Sequence, residues 1–156
     1  MIRVVFDPGV LVSAFISPRA APAELVQAWR DGRFELVVSP KLLEELRRVL
    51  LRPKFRRYAT EQEVQEYVAH LKEEGHAELD PAIPVGATPD PKDDYLVGLA
   101  RAANAHILVS GDQHLTRLED PHPPVLTPRA LLDQLYALSE GRSKVAEPIL
   151  YEDAAH

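Results

Sequence analysis

The sequence has no cysteine, so its 156 residues can build neither a disulfide framework nor a thiolate metal site. It has one methionine and one tryptophan, and aromatic residues make up only 6% of it. No apolar run approaches the roughly eighteen residues of a membrane-spanning helix, and no cleavable signal pattern opens the chain. The expected address is therefore the cytoplasm. Asparagine occurs once, at Asn104, against fourteen prolines, a composition that suits a thermophile. An excess of cations is missing too: 18 basic residues face 24 acidic ones, for a net charge of −6. That balance opposes polyanion binding by the molecule as a whole, so any contact with nucleic acid has to come from local charge.

What is present is a globular composition, 46% hydrophobic, in a chain long enough to bury a core as a single domain. Residues 1–138 read as that domain and 139–156 as a C-terminal tail with little pattern. The chain is organised around Ile2–Phe6, a β-branched apolar run without clean alternation, which reads as a buried strand ending at Asp7. A second run, His106–Val109, leads through Ser110 and Gly111 to Asp112. Short strands are also expected at Phe34–Val38, Ala77–Leu79 and Val125–Leu126.

Helices are expected between them. Pro8-Gly9 reads as a turn, followed by a short helix or turn to Ile16; Pro22–Arg30 is a helix punctuated by Gly32. Ser39-Pro40 is a cap followed by a first-turn proline, opening a helix to about Leu51. Thr60 and Glu63 form a capping-box pattern for a helix ending near Gly75. Pro81–Pro91 holds four prolines and reads as an irregular connection. Asp90-Pro91 repeats the cap-then-proline device for a helix to about Asn104, and Thr127-Pro128 starts one reaching about Leu138, with Gly141 as its stop. Strands alternating with helices imply a parallel sheet covered on both faces, an α/β/α sandwich.

Carboxylates recur where such a sheet binds ligands, beyond the carboxyl ends of its strands. They are Asp7, Glu44-Glu45, Asp93-Asp94 and Asp112. On the helix from Lys41, the apolar face is Leu42, Leu43, Leu46, Val49 and Leu50. At about 100° per residue, Glu45 lies on its border and Glu44 roughly opposite. The same arithmetic puts Asp93 nearer the apolar border than Asp94. Crowded carboxylates repel and raise one another's pKa, so they coexist cheaply only with cations among them. An all-oxygen set with no cysteine and no histidines at ligand spacing suits Mg²⁺ or Mn²⁺. Six basic residues, Arg47, Arg48, Arg52, Lys54, Arg56 and Arg57, follow without an intervening acid. Taken alone, that run is a solvated helix face.

Four stretches in order resemble the PIN-domain nucleases, specifically the VapC-like group of toxin–antitoxin pairs. They are Val5–Ala14 (VFDPGVLVSA), Ser39–Leu46 (SPKLLEEL), Asp90–Leu96 (DPKDDYL) and Leu108–Asp112 (LVSGD). The resemblance implies a three-layer α/β/α fold with a parallel sheet, and Asp7, Glu45, Asp94 and Asp112 converging on one or two divalent ions. It selects Asp94 over Asp93, because Asp94-Tyr95-Leu96-Val97-Gly98-Leu99-Ala100 fits the family's third-acid pattern. It matches Ser110 to a serine or threonine that supports the site or contacts substrate phosphate, and makes Arg48, Arg52 and Lys54 credible RNA contacts. It further implies single-stranded RNA as substrate, an antitoxin protein as partner and a homodimer. One departure stands out: where the family usually reads Asp-Thr-Asn, this chain has Asp7-Pro8-Gly9, so either metal affinity or turnover is reduced, or another donor such as Ser13 substitutes.

Two other readings compete. One is a catalytically weak module on the same fold that binds RNA or an antitoxin. The other is a different α/β enzyme. A haloacid-dehalogenase-type phosphatase needs Asp-x-Asp after the first strand, which Gly9 removes, and the acidic pair and late lysine of a receiver domain are missing.

Overall fold

In a computed structural model that describes residues 1–82 and 91–144, five strands form one parallel sheet. They are β1 (Arg3–Phe6), β2 (Glu35–Val38), β3 (His76–Ala77), β4 (Ile107–Val109) and β5 (Val125–Leu126), in the order β3-β2-β1-β4-β5. Val5 lies between Val37 of β2 and Leu108 of β4. The helices are α1 (Pro8–Ile16), α2 (Ala21–Arg30), α3 (Pro40–Leu50), α4 (Glu61–Glu74), α5 (Pro91–Ala102), α6 (Gln113–Thr116) and α7 (Pro128–Lys144). Helix α5 packs on β1 and β4, while α1 packs on α2 and α3, giving the expected three-layer α/β/α architecture.

The first run is central because it can be nothing else: Val4, Val5 and Phe6 are fully buried, as apolar residues on both faces of a covered strand must be. Leu36, Leu42, Leu46, Leu99 and Leu108 join them. Each such leucine contributes roughly 1.5–3 kcal/mol of burial. The strand order reverses beside β1, where β2 lies on one side and β4 on the other. That reversal opens the crevice in which open α/β sheets place ligands.

Local signals work as expected at several ends. The Ser39 hydroxyl accepts from the Leu42 N–H at 3.2 Å, Thr60 and Glu63 close a capping box, and Gly32 takes φ +80° after α2. Asn104, the sole asparagine, adopts a left-handed φ of +53° just after α5, a conformation asparagine tolerates better than most residues. Other expectations are corrected. Pro8-Gly9 is no turn: Asp7 caps α1 directly, with Pro8 in the first turn. The third strand is His76–Ala77, not Ala77–Leu79. Helix α7 passes Gly141 and ends at Lys144, because one glycine weakens a helix without ending it. The Pro81–Pro91 connection falls mostly, and the tail beyond Lys144 wholly, outside the described residues.

Candidate active site

Asp7 follows β1 and Asp112 follows β4, and pairing of those two strands carries both acids to the crevice. They line a cleft of about 610 Å³ together with Gly9, Ser13, Glu45 and Tyr95. Three of the four acids singled out from the sequence thus line one cleft. Glu45 reaches it from α3, whose buried stripe of Leu42, Leu43, Leu46 and Leu50 turns Glu45 to the border. Glu44 faces solvent in an ion pair with Arg47 at 2.7 Å.

Asp7 does two jobs at once. As N-cap of α1 its Oδ1 accepts the Val10 N–H at 2.9 Å. Its Oδ2 accepts a hydrogen bond from the Ser110 hydroxyl. Ser110 in turn accepts the Asp112 N–H at 2.9 Å, so one buried hydroxyl ties the two acids together. Burial raises the pKa of Asp7 above its ordinary value; the Ser110 and Val10 hydrogen bonds oppose this, and the like charge of Asp112 adds to it. Asp112 accepts the His114 N–H at 2.8 Å as cap of α6.

The remaining candidates, Asp94, Ser110, Arg48, Arg52 and Lys54, are not among the residues that line the cleft. Asp94 is buried in the first turn of α5, 4% exposed, and the cleft wall there is made by Tyr95 and Leu96. The side chain of Asp93 lies outside the described residues. Ser110 is fully buried, so it can affect substrate only through the groups it binds. Arg48, Arg52 and Lys54 are exposed at and just beyond the end of α3. Their neighbours are less available: Arg56 Nη2 is held by the Leu51 carbonyl at 2.7 Å, and Arg57 by the Tyr58 hydroxyl at 2.8 Å.

Sequence reasoning missed Tyr95. Its hydroxyl donates to Glu45 Oε2 at 2.6 Å, and Lys41 Nζ lies 4.4 Å from its ring centroid. Burial, then donation to Glu45, pushes the phenol pKa well up, keeping it a donor. The only hint in the chain was its place beside Asp94.

Among the described residues, no three carboxylates or histidines close into a finished metal cage. Mg²⁺ does not need one: it is held by one or two carboxylates and keeps several waters. The cleft offers hard oxygen donors, one of them a desolvated carboxylate that a cation would neutralise. The donor set fits Mg²⁺ or Mn²⁺.

An acidic cleft at the reversal point of a parallel sheet ordered β3-β2-β1-β4-β5 defines the class, and comparison with known proteins agrees. A family profile described as PIN domain matches residues 3–114, and the chain belongs to that family. The uncharacterized protein MJ1680 of Methanocaldococcus jannaschii is 24% identical over 142 residues, 85% of this chain and 91% of that protein. The crystal structure of PAE2754 from Pyrobaculum aerophilum shares the fold with a TM-score of 0.61 at 14% identity, covering 87% of this chain and 90% of that one. A chain of VapBC2 from Rickettsia felis, solved bound to a DNA fragment from its promoter, aligns with a TM-score of 0.57 at 13% identity. The alignment covers 81% of this chain and 98% of that one. Among the described residues, no helix is long and apolar enough to cross a membrane.

Proposed function

We propose that this PIN-domain protein is a divalent-metal-dependent endoribonuclease acting on single-stranded RNA, the toxin of a cytoplasmic toxin–antitoxin pair. The observation that carries the reading is the meeting of Asp7, Glu45 and Asp112 on one cleft. Likeness in fold to a chain of a VapBC complex supports an antitoxin as partner, and the family resemblance supports a homodimer.

Asp7, Glu45 and Asp112 would hold Mg²⁺ or Mn²⁺, with Asp94 completing the set from α5. Bound there, the ion supplies Lewis acidity at the phosphodiester and makes nearby water easier to deprotonate. The protein's share is positioning and electrostatics. Ser110 fixes the rotamer of Asp7, and Ser13 offers a hydroxyl at the cleft wall. Mixed single-stranded RNA is expected to be cut in Mg²⁺ or Mn²⁺ and left intact in EDTA. Cutting that survives EDTA rules the reading out, while RNA retained without cutting in either ion favours the binding module.

Arg48, Arg52 and Lys54 would carry the RNA backbone away from the cleft. Each phosphate neutralised on a single strand steepens the slope of log K against log salt by about 0.7. Replacing all three with glutamine should therefore flatten that slope by about 2, measured by fluorescence anisotropy in EDTA. An unchanged slope would leave these residues as a solvated face.

A further inference from the structure

Beyond the acids themselves, we propose that Tyr95 is the positioning residue for Glu45, held in turn by Lys41. This rests on the metal-site reading above and assigns to α5 a part that no acid performs. Glutamate has three rotatable bonds, and Glu45 sits on a helix border with its carboxylate beside open space. Without a partner it would sample several rotamers, each of which puts a different oxygen toward the cleft. The Tyr95 hydroxyl, 2.6 Å from Oε2, selects one. Oε2 is then engaged, and Oε1 is the oxygen left for a ligand in the cleft that both residues line.

The tyrosine is itself fixed. Tyr95 is 5% exposed, and the Lys41 ammonium lies over its ring at 4.4 Å, within reach of the ring's negative face. Lys41 and Glu45 are four residues apart on α3, so they stand one above the other on the same face. Helix α3 thereby grips one α5 side chain at two points, ammonium on ring and carboxylate on hydroxyl. The Lys41 backbone N–H donates to Asp80 Oδ2 at 2.9 Å, which anchors the first turn of α3. Outer partners of this kind typically cost 10–100-fold in metal affinity when removed.

Tyr95→Phe removes the hydroxyl and keeps the buried ring, so folding is preserved and the effect falls on Glu45. The measurement is Mn²⁺ binding alone, followed through the EPR signal of the free aquo ion, on wild type, Tyr95→Phe, Glu45→Gln, the double variant and Asp7→Asn. Tyr95→Phe is expected to weaken Mn²⁺ about 10-fold, and the double variant to bind no worse than Glu45→Gln, since the two residues act as one unit. In RNA cleavage at fixed metal, kcat should fall and KM stay. Tyr95→Phe binding Mn²⁺ like wild type, or losses that simply add in the double variant, overturns the assignment while leaving the site in place. If wild type binds Mn²⁺ no better than Asp7→Asn, the metal site itself fails, and the role of Tyr95 fails with it.

Discussion

Asp7→Asn is expected to lower RNA cleavage by at least 10²-fold, the range seen when one preorganised electrostatic group is removed from a site, and yet to leave the metal-free protein more stable at neutral pH. The two effects share one cause. Asp7 is a desolvated carboxylate beside a second acid, and its pKa is raised in the fold. Asparagine has nearly the same shape, caps helices as well as aspartate, and can still accept the Val10 N–H. What it lacks is the charge; at the Oδ2 position it presents an N–H, as the protonated acid presents an O–H, that donates to Ser110 Oγ instead of accepting from it.

The sign follows from linkage. A group whose folded pKa is raised contributes stability while it is protonated, below its unfolded value near 3.8, and loses it as pH rises through the higher folded value. At pH 3 wild type and Asp7→Asn should therefore melt together. The gap should open as pH climbs past the ordinary carboxylate range, with wild type the less stable. Mn²⁺ should then close the gap from the wild-type side only, because a ligand at 100 times its Kd adds about 2.7 kcal/mol to a protein that binds it. Melting curves from pH 3 to 8, with EDTA and with Mn²⁺, give all three readings. A metal-free Asp7→Asn that melts below wild type at pH 7 would mean that the hydrogen bonds to the charged carboxylate outweigh its burial, and the expected sign fails.

How much of this could be read from the chain depends on how local each signal is. The run Ile2–Phe6 announces its strand, and the wheel on α3 separates Glu45 from Glu44, because both rest on periodicity within a dozen residues. Cap-then-proline is equally local, and it opens α3 at Ser39-Pro40. The same device at Asp7-Pro8 was hidden by Gly9, which turned the reading toward a turn. Tyr95 could not be found this way, since its hydroxyl meets a residue fifty positions earlier through the packing of two helices. The basic run shows the reverse error. Six cations count alike in the sequence, but Arg47 is spent on Glu44 and Arg56 on the carbonyls of Leu51 and Ala59. Ser110 reads from the chain as a support or a phosphate contact, and its complete burial beside Asp7 argues for support.

Gly75→Ala carries the largest expected effect on stability, and its sign separates two arguments. From sequence, Gly75 marks the end of a helix, where glycine commonly takes a left-handed backbone. In the structure it has φ −74° and ψ 162°, which alanine adopts freely. Conformational entropy alone then predicts stabilisation by about 0.4–1 kcal/mol, because alanine restricts the unfolded chain. Contact predicts the opposite. A methyl there would lie 2.5 Å from the Leu71 carbonyl oxygen and 2.9 Å and 3.0 Å from the two methyls of Val38. The valine can turn, but the carbonyl cannot, because it accepts the Gly75 N–H at 2.9 Å and closes α4. Relief would have to move the next residues, His76 and Ala77, which pair with Val37 and Val38 as β3. Overpacking of this kind costs about 1–3 kcal/mol, sometimes more, so contact outweighs entropy. A urea midpoint should fall accordingly, and Val38→Ala should recover only part of the loss, since it frees the valine contacts and leaves the carbonyl. A Gly75→Ala protein with a higher midpoint than wild type would show that the end of α4 moves away from β2 at little cost.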